Sequence, residues 1–291
     1  MKKMSKLGGE VRWVFDVSKW TPSSGEWTSA LSRLPDDERR RIGRFWFKRD
    51  AKASMVGQLL LRKLVRDVLQ LADGQFQVAR TDKGKPFVVG GFPLSFNVSH
   101  QGAYAVLAAS EASRRLGVDV MRVDAERFGD SAAKIEEFFH TMRRTFTASE
   151  WTAIRRADGP PLLNFYRHWC LKESYVKACG TGIGVDLQAI EFGVVEPRLN
   201  AAGAASTGIR VDGVDQSAEW RFEEQLLDDS HCVCVALNST PTTHRGPLVP
   251  FQWMAPVDLM SDSAAVDGDV DPQLGVEFEA KEEEPQYPWK R

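Results

Sequence analysis

Three charged side chains lie close together in an otherwise apolar stretch near the middle of the chain. The segment HWCLKESYVKACGTGIG, residues 168–184, carries Lys172, Glu173 and Lys177 among aromatic and aliphatic neighbours. At 3.6 residues per helical turn, Glu173 and Lys177 share one face with Trp169. An exposed ion pair at this spacing would stabilise a helix by only ~0.2–0.5 kcal/mol. A carboxylate that is buried on such an apolar helix, however, needs a cation as its partner.

A second carboxylate occurs inside an apolar run, LGVDVMRV, residues 116–123. Side chains alternate along a strand, so Asp119 and Met121 point to one face and the flanking valines to the other. A hydrogen-bonded structural aspartate is the simpler explanation of Asp119 taken alone. If Asp119 faced Glu173 at about 4 Å, the two charges would repel by ~4 kcal/mol at an effective dielectric near 20. A divalent cation would remove this repulsion, and oxygen ligands favour magnesium over zinc.

Side chains that suit phosphate groups occur in three other segments. The turn RTDKGKP, residues 80–86, places three cations around a glycine, which lets the backbone approach a ligand closely. The run NVSH, residues 97–100, ends a predicted strand, and Arg41 lies upstream in RRRIGRF. Magnesium with few protein ligands is commonly completed by substrate phosphates. Taken singly, each segment also fits a solvated turn or a structural histidine.

The elements that must position these residues follow from the hydrophobic pattern. Long helices are predicted over residues 50–71 and 162–179, the second ended by Gly180, and a capping box over 147–150. Alternation predicts strands at 11–17, 94–100, 103–109, 116–123, 189–195, 209–213, 219–225 and 231–237. The strands at 94–109 read as a hairpin, with 116–123 as the third strand of a meander.

This pattern favours an α+β fold of two related halves, residues 1–115 and 116–240, each a long helix packed on an antiparallel sheet. No literal sequence repeat accompanies the likeness of the halves. Beyond Asn238 the pattern stops, and we expect residues 241–291 to form an acidic, disordered tail. That tail has four basic against ten acidic residues, whereas residues 1–240 have 34 against 30.

Bulk composition narrows the classes of function. The net charge is −2, and the mild basic excess of the first 240 residues is too small to indicate a nucleic-acid partner. No apolar run approaches the ~20 residues of a membrane span. The four cysteines, Cys170, Cys179, Cys232 and Cys234, fit neither a zinc motif nor a secreted disulfide framework, so we expect reduced thiols in a soluble, cytoplasmic protein.

The motifs KGKP, FNVSHQGAYAVLA, GVDVM and FYRHWCLKESYVKACGTGIG follow one another in this order. The series resembles the 4′-phosphopantetheinyl transferases of the surfactin-synthetase-activating type, and within them the broad-specificity animal enzymes. The likeness covers roughly residues 10–240. GVDV and W-x-x-K-E-S/A-x-x-K at this separation are specific, whereas KGKP alone is not.

The resemblance implies a pseudo-twofold fold with coenzyme A and Mg²⁺ in the cleft between the halves. The family moves the 4′-phosphopantetheine arm of coenzyme A to a serine of apo carrier domains, such as those of fatty acid synthase and aminoadipate-semialdehyde dehydrogenase, and releases adenosine 3′,5′-bisphosphate. It implies metal ligands Asp119 and Glu173, and a catalytic set of these two with Lys177. The implied coenzyme A contacts are Arg41, Arg80, Thr81, Asp82, Lys83, Gly84, Lys85, Asn97, Val98, Ser99, His100 and Lys177.

One position departs from many bacterial relatives, which carry a second acid two residues after the strand aspartate. Here that residue is Met121, so the third metal ligand is open between Gln101 and water. A non-catalytic scaffold that binds carrier domains with the same fold is the alternative function. A nucleotide-using transferase of another class is disfavoured, because the sequence has no P-loop and GTGIG follows a helix instead of opening one. Both halves lie in one chain, so a monomer is expected.

Overall fold

The computed structural model describes residues 10–111, 115–129, 131–156, 158–182, 184–238, 247–261, 265–266 and 269–284. Its helices are α1 Ser24–Leu31, α2 Asp36–Gly43, α3 Lys48–Leu69, α4 Ala132–Thr141, α5 Ala148–Arg156, α6 Pro161–Cys179, α7 Pro256–Met260 and α8 Gln273–Glu279. Its strands are β1 Val11–Asp16, β2 Val78–Arg80, β3 Pro86–Val88, β4 Leu94–Gln101, β5 Tyr104–Glu111, β6 Leu116–Arg122, β7 Ile190–Gly193, β8 Gly208–Val211, β9 Val214–Asp215, β10 Trp220–Asp228, β11 His231–Asn238 and β12 Gln252–Met254. This mixture confirms the predicted α+β class.

The first half places α3 on a four-stranded sheet ordered β12-β1-β5-β4. β5 pairs antiparallel with both β1 and β4, and β4 and β5 form the predicted hairpin. Alternate strand residues such as Phe15, Phe96 and Leu107 pack with Leu60 and Leu64 of α3 in one buried cluster. The apolar stripe expected on this helix therefore faces the sheet.

The second half places α6 on a three-stranded sheet ordered β10-β11-β6. The prediction that residues 116–123 extend the β4–β5 meander is wrong, because β6 pairs antiparallel with β11. Proximity in sequence favours a meander. Val118 and Val120 nevertheless pack with Val233 and Val235 of β11, which gives β6 a distant partner of matching pattern.

The two sheets meet through a shared apolar cluster. Val14 and Val106 of the first sheet pack there with Val118 and Val120 of the second. On the other side of β6, Met121 belongs to the cluster beneath α6. Each half is thus a long helix on a sheet, as predicted, and the predicted alternation of side chains along β6 is confirmed. The twofold relation between the halves stays a prediction.

A separate aromatic cluster fixes the beginning of α6. α4, α5 and α6 enclose the buried rings of Phe139, Phe146 and Phe165. The capping box at the start of α5 is confirmed: Thr147 N donates to Glu150 Oε2 at 2.8 Å, and Glu150 N donates to Thr147 Oγ1 at 3.3 Å.

The disorder predicted after residue 240 is wrong for the described part of that segment. β12 adds to the sheet in parallel register with β1, and Leu259 of α7 and Phe278 of α8 are buried in the first half's core. The Phe278 ring stacks on Trp27 with ring centroids 3.8 Å apart. The sequence did not indicate this packing, because the segment has few apolar residues. β12 adds one short strand to an existing sheet, and α8 buries a single aromatic ring.

All four cysteines are unpaired, as predicted. In the part of the chain that the structure describes, no helix combines the length and apolarity needed to cross a bilayer.

Candidate active site

The close approach of α6 to β6 brings the two predicted carboxylates to the same place. A Cβ atom on Gly117 would lie 2.1 Å from the Ser174 carbonyl oxygen and 2.4 Å from Ala178 N, so this contact requires glycine. The Cys170 thiol also donates to the Asp119 carbonyl at 3.1 Å. Asp119 lies two residues after Gly117, on the same face of the strand, and therefore points towards α6.

Asp119 is buried and only half satisfied. Its Oδ1 accepts hydrogen bonds from Ser99 Oγ, at 2.8 Å, and from the Lys177 ammonium, which also donates to Ser99 Oγ at 2.9 Å. Its Oδ2 is buried and has no hydrogen-bond partner among the residues that the structure describes. An unpaired buried carboxylate oxygen is costly, so this atom calls for an explanation beyond the fold itself.

Glu173 lies one turn before Lys177 on α6 and lines the cavity beside this cluster. Burial raises the pKa of Glu173, and the charge of Asp119 raises it further, while Lys177 acts in the opposite direction. Glu173 therefore lies near enough to Asp119 for the two carboxylates to interact electrostatically between β6 and α6. Trp169 packs in the cluster beneath α6, which confirms its predicted role in holding the helix.

A cavity of about 650 Å³ opens beside these carboxylates, between α3, the β2–β3 turn, β4 and α6. It is lined by ten of the predicted residues: Arg41, Arg80, Lys83, Gly84, Lys85, Asn97, Val98, His100, Glu173 and Lys177. Five of the ten are lysine or arginine, so the cavity suits a polyanionic ligand.

Two arginines of the cavity are held by one acid of α2. Arg41 pairs with Glu38 at 2.6 Å and also donates to Ser54 Oγ at 2.8 Å. Arg80 lies 3.7 Å from the other oxygen of Glu38. Shared anchoring orients both guanidinium groups before a ligand arrives, which lowers the entropy cost of binding.

Only some residues of the turn between β2 and β3 line the cavity. Gly84 has a φ of +82°, a conformation that side chains disfavour, which explains why the turn needs glycine. Thr81 and Asp82 do not line the cavity, and Thr81 Oγ1 instead accepts a hydrogen bond from Lys85 N at 3.2 Å. The ammonium of Lys85 donates to backbone carbonyls of the second half.

β4 supplies both structural and cavity-lining groups. Asn97 Oδ1 accepts a hydrogen bond from Val118 N at 2.9 Å, which fastens β4 to β6. Ser99 reaches the cavity only through its bonds to Asp119 and Lys177. His100 is open to solvent in the cavity, yet the surrounding protein lowers its pKa, and the charge of Lys177 lowers it further.

Gln101, the residue considered for a third metal ligand, is engaged elsewhere, and Met121 beside Asp119 is not a cavity residue. Gln101 Oε1 accepts a hydrogen bond from Arg122 N at 2.6 Å. Met121 is buried in the core beneath α6. Across the described ranges, no group of three or more His, Cys, Asp or Glu side chains is arranged to hold a metal ion.

A buried network explains why Lys172 belongs to the motif. Its ammonium pairs with Glu150 at 2.9 Å and donates to the Leu187 and Ile190 carbonyls at 2.6 and 2.5 Å. Glu150 in turn accepts from Phe192 N at 3.0 Å. Lys172 thereby ties α6 to the segment after its glycines, which forms one wall of the cavity.

Sequence reasoning missed the wall that α3 provides. Ser54, Gly57, Gln58 and Leu61 line the cavity at i, i+3, i+4 and i+7 of this helix. Three of these residues are small or polar and lie on the face beside the apolar stripe, which was the available signal. Assigning them to a site required knowing which face of α3 lies against β4.

Comparison with known families matches both halves of the chain. Residues 18–112 match the model "4'-phosphopantetheinyl transferase, N-terminal", and residues 115–236 match "4'-phosphopantetheinyl transferase superfamily". The chain is 43% identical to L-aminoadipate-semialdehyde dehydrogenase-phosphopantetheinyl transferase of Xenopus laevis, over 95% of this chain and 94% of the relative. It is 42% identical to the Homo sapiens protein of the same name, over 83% and 79%.

A more distant relative has the same activity in its name. Phosphopantetheinyl transferase of a Thraustochytrium species is 33% identical over 87% of this chain and 88% of the relative. Together with motifs that gather around one basic cavity, these matches show that the chain belongs to the 4′-phosphopantetheinyl transferase superfamily, enzymes that transfer phosphopantetheine to carrier proteins.

Proposed function

We propose that this chain is a magnesium-dependent phosphopantetheinyl transferase of the surfactin-synthetase-activating type, with coenzyme A bound in the cavity between α3 and α6. The observation that carries the proposal is the unpaired Oδ2 of buried Asp119 next to the half-buried carboxylate of Glu173. A carboxylate whose pKa is raised by burial and by the charge of a second carboxylate suits a hard divalent cation with oxygen ligands. Asp119 and Glu173 would hold the ion, with ligand phosphates and water in its remaining positions.

The metal, when bound, offsets the charge of the diphosphate and polarises its phosphorus. The chain's own residues position the two reactants. Arg41, Arg80 and Lys83 give the cavity its positive potential, and Lys177 lies one turn from Glu173, where it serves as a phosphate contact. Reactions at phosphorus depend chiefly on such positioning and charge stabilisation.

Glu173 is the proposed base for the serine hydroxyl of the carrier protein. Its half-buried carboxylate lines the cavity, where it can accept the proton of a bound serine hydroxyl. The serine oxygen forms a bond to the phosphorus that bears the pantetheine arm, and the bond from that phosphorus to the bridging diphosphate oxygen breaks. Glu173 takes the serine proton, and adenosine 3′,5′-bisphosphate leaves.

The names of the relatives support a choice of carrier partner. Their names specify L-aminoadipate-semialdehyde dehydrogenase, and we propose a carrier domain of that type as a substrate, together with that of fatty acid synthase. A cytoplasmic monomer completes the proposal. The non-catalytic scaffold is the weaker alternative, because the chain keeps both carboxylates and a cavity of suitable charge.

The test is transfer to an apo carrier domain with coenzyme A and Mg²⁺, read by mass spectrometry as addition of one phosphopantetheine per chain. Glu173→Gln should abolish most transfer, since it removes both a metal charge and the base. Glu137→Gln, on the exposed face of α4, is the matched control and should transfer normally. Normal turnover by Glu173→Gln at saturating Mg²⁺ would exclude both roles given to this residue.

A further inference from the structure

The ammonium of Lys85 contacts the end of α6, although the residue lies in the other half of the fold. Lys85 Nζ donates to the carbonyls of Lys177 and Ala178 at 2.9 and 3.5 Å, and to that of Leu116, the first residue of β6, at 2.9 Å. An ammonium has three N–H groups, so these contacts use all of its donors.

The carbonyls that Lys85 reaches need such a partner. The last four carbonyls of a helix have no partner within the helix. In α6 the Val176 carbonyl accepts from Gly180 N at 2.9 Å, where the chain turns away with a φ of +67°. The next two carbonyls accept from Lys85. A positive charge at this end is also favoured by the helix dipole.

Lys83, two residues earlier on the same turn, differs from Lys85. It is exposed, and its aliphatic stem lies beside Gly182 at the cavity wall, where an added Cβ on the glycine would be 3.5 Å from Lys83 Cδ. None of the residues that the structure describes forms a salt bridge or a hydrogen bond with its ammonium, so this group is available to a ligand.

From this difference, and resting on the function proposed above, we infer that Lys85 is a positioning residue and that Lys83 is the phosphate contact of this turn. Lys85 joins the β2–β3 turn to the last turn of α6, which carries Lys177, and to β6, which carries Asp119. It thereby sets the distance between the phosphate-binding wall and the carboxylates.

The test compares Lys85→Met with Lys83→Met by three measurements. Loss of a phosphate contact should flatten the salt dependence of coenzyme A binding, measured by calorimetry, whereas loss of the positioning residue should not. We expect Lys83→Met to show the flatter slope. Lys85→Met should keep the slope and lower kcat by about 10- to 100-fold, the scale expected of ångström-size misplacement.

Hydrogen exchange provides a measurement that does not depend on activity. Without the Lys85 ammonium, amides in the last turn of α6 should exchange faster in Lys85→Met than in the wild type, and Lys83→Met should leave them unchanged. If the wild-type chain transferred no phosphopantetheine, the proposed function would fail while this result could still stand. The inference is overturned if Lys85→Met flattens the salt slope and leaves exchange and kcat unchanged.

Lys85→Arg keeps the test decisive if the methionine variant does not fold. A planar guanidinium cannot converge on three carbonyls as an ammonium does, but it binds phosphate at least as well. Positioning therefore predicts a lower kcat for Lys85→Arg with an unchanged salt slope. Wild-type kcat in Lys85→Arg would identify Lys85 as a phosphate ligand and refute the inference.

Discussion

Phe278→Ala tests whether the C-terminal segment is part of the folded core. Phe278 is 3% exposed and stacks on Trp27, which is also 3% exposed, with the ring planes 10° apart. Gly275, one turn earlier on α8, lies against α1 so closely that an added Cβ would be 2.4 Å from Ser24 Oγ. α1 and α8 are therefore closely packed, and removing the Phe278 ring leaves a cavity between them.

Truncating a buried phenylalanine to alanine costs about 3–5 kcal/mol, of which the aromatic stacking contributes roughly 0.5–1.5 kcal/mol. At about 2–4 °C per kcal/mol for a chain of this size, Tm should fall by roughly 6–20 °C. If the segment instead detaches as a unit, the loss is limited to its docking free energy. Transfer at low temperature should persist, because α8 does not line the cavity.

The assay is thermal and urea unfolding of the wild type, Phe278→Ala and Val276→Ala. Val276 is on the same helix but 52% exposed, so its truncation should change Tm little. A Phe278→Ala protein that melts within about 1 °C of the Val276→Ala control, well inside the expected shift, would show that α8 contributes nothing to the core.

Three further variants test the packing and charge of the site. Gly117→Ala should lower both stability and transfer, because its Cβ would overlap the Ser174 carbonyl, whereas Gly193→Ala, with open space around it, should do neither; equal melting of the two would refute the close contact. Lys172→Met should lower the free energy of unfolding, measured with denaturant, by about 3–5 kcal/mol, because it leaves the buried charge of Glu150 without its cation. A loss below about 1 kcal/mol would count against the network. Glu173→Gln should melt higher than the wild type in EDTA at neutral pH, since the raised pKa means that ionised Glu173 destabilises the fold. The difference in Tm between Glu173→Gln and the wild type should be full above the raised pKa of Glu173, shrink as the pH falls through that pKa, and vanish below the ordinary value of 4.5. A difference in Tm that does not change with pH would contradict this link between ionisation and stability.

The sequence by itself determined the features that depend on local periodicity and residue type. The long helices form at Lys48–Leu69 and Pro161–Cys179, within two residues of the predicted limits, because each carries a continuous apolar stripe. The sequence also predicted that the strand aspartate, Asp119, lies near the helix glutamate, Glu173. Both charges occur in apolar stretches where a lone carboxylate is unfavourable. The short helices α1, α2 and α4 were not predicted, because their few turns show little periodicity.

The tertiary structure decided everything that depends on which distant segments meet. The partner of β6 is β11, more than a hundred residues away, and no local pattern distinguishes it from the nearer β5. The same holds for Lys85. Its place in a basic, glycine-containing turn predicted a phosphate contact, whereas its ammonium lies against the carbonyls of α6. The type of a side chain limits what it is able to bind, but its neighbours are set by packing between segments that are far apart in the chain. That packing depends on the total apolar surface that both halves bury on folding.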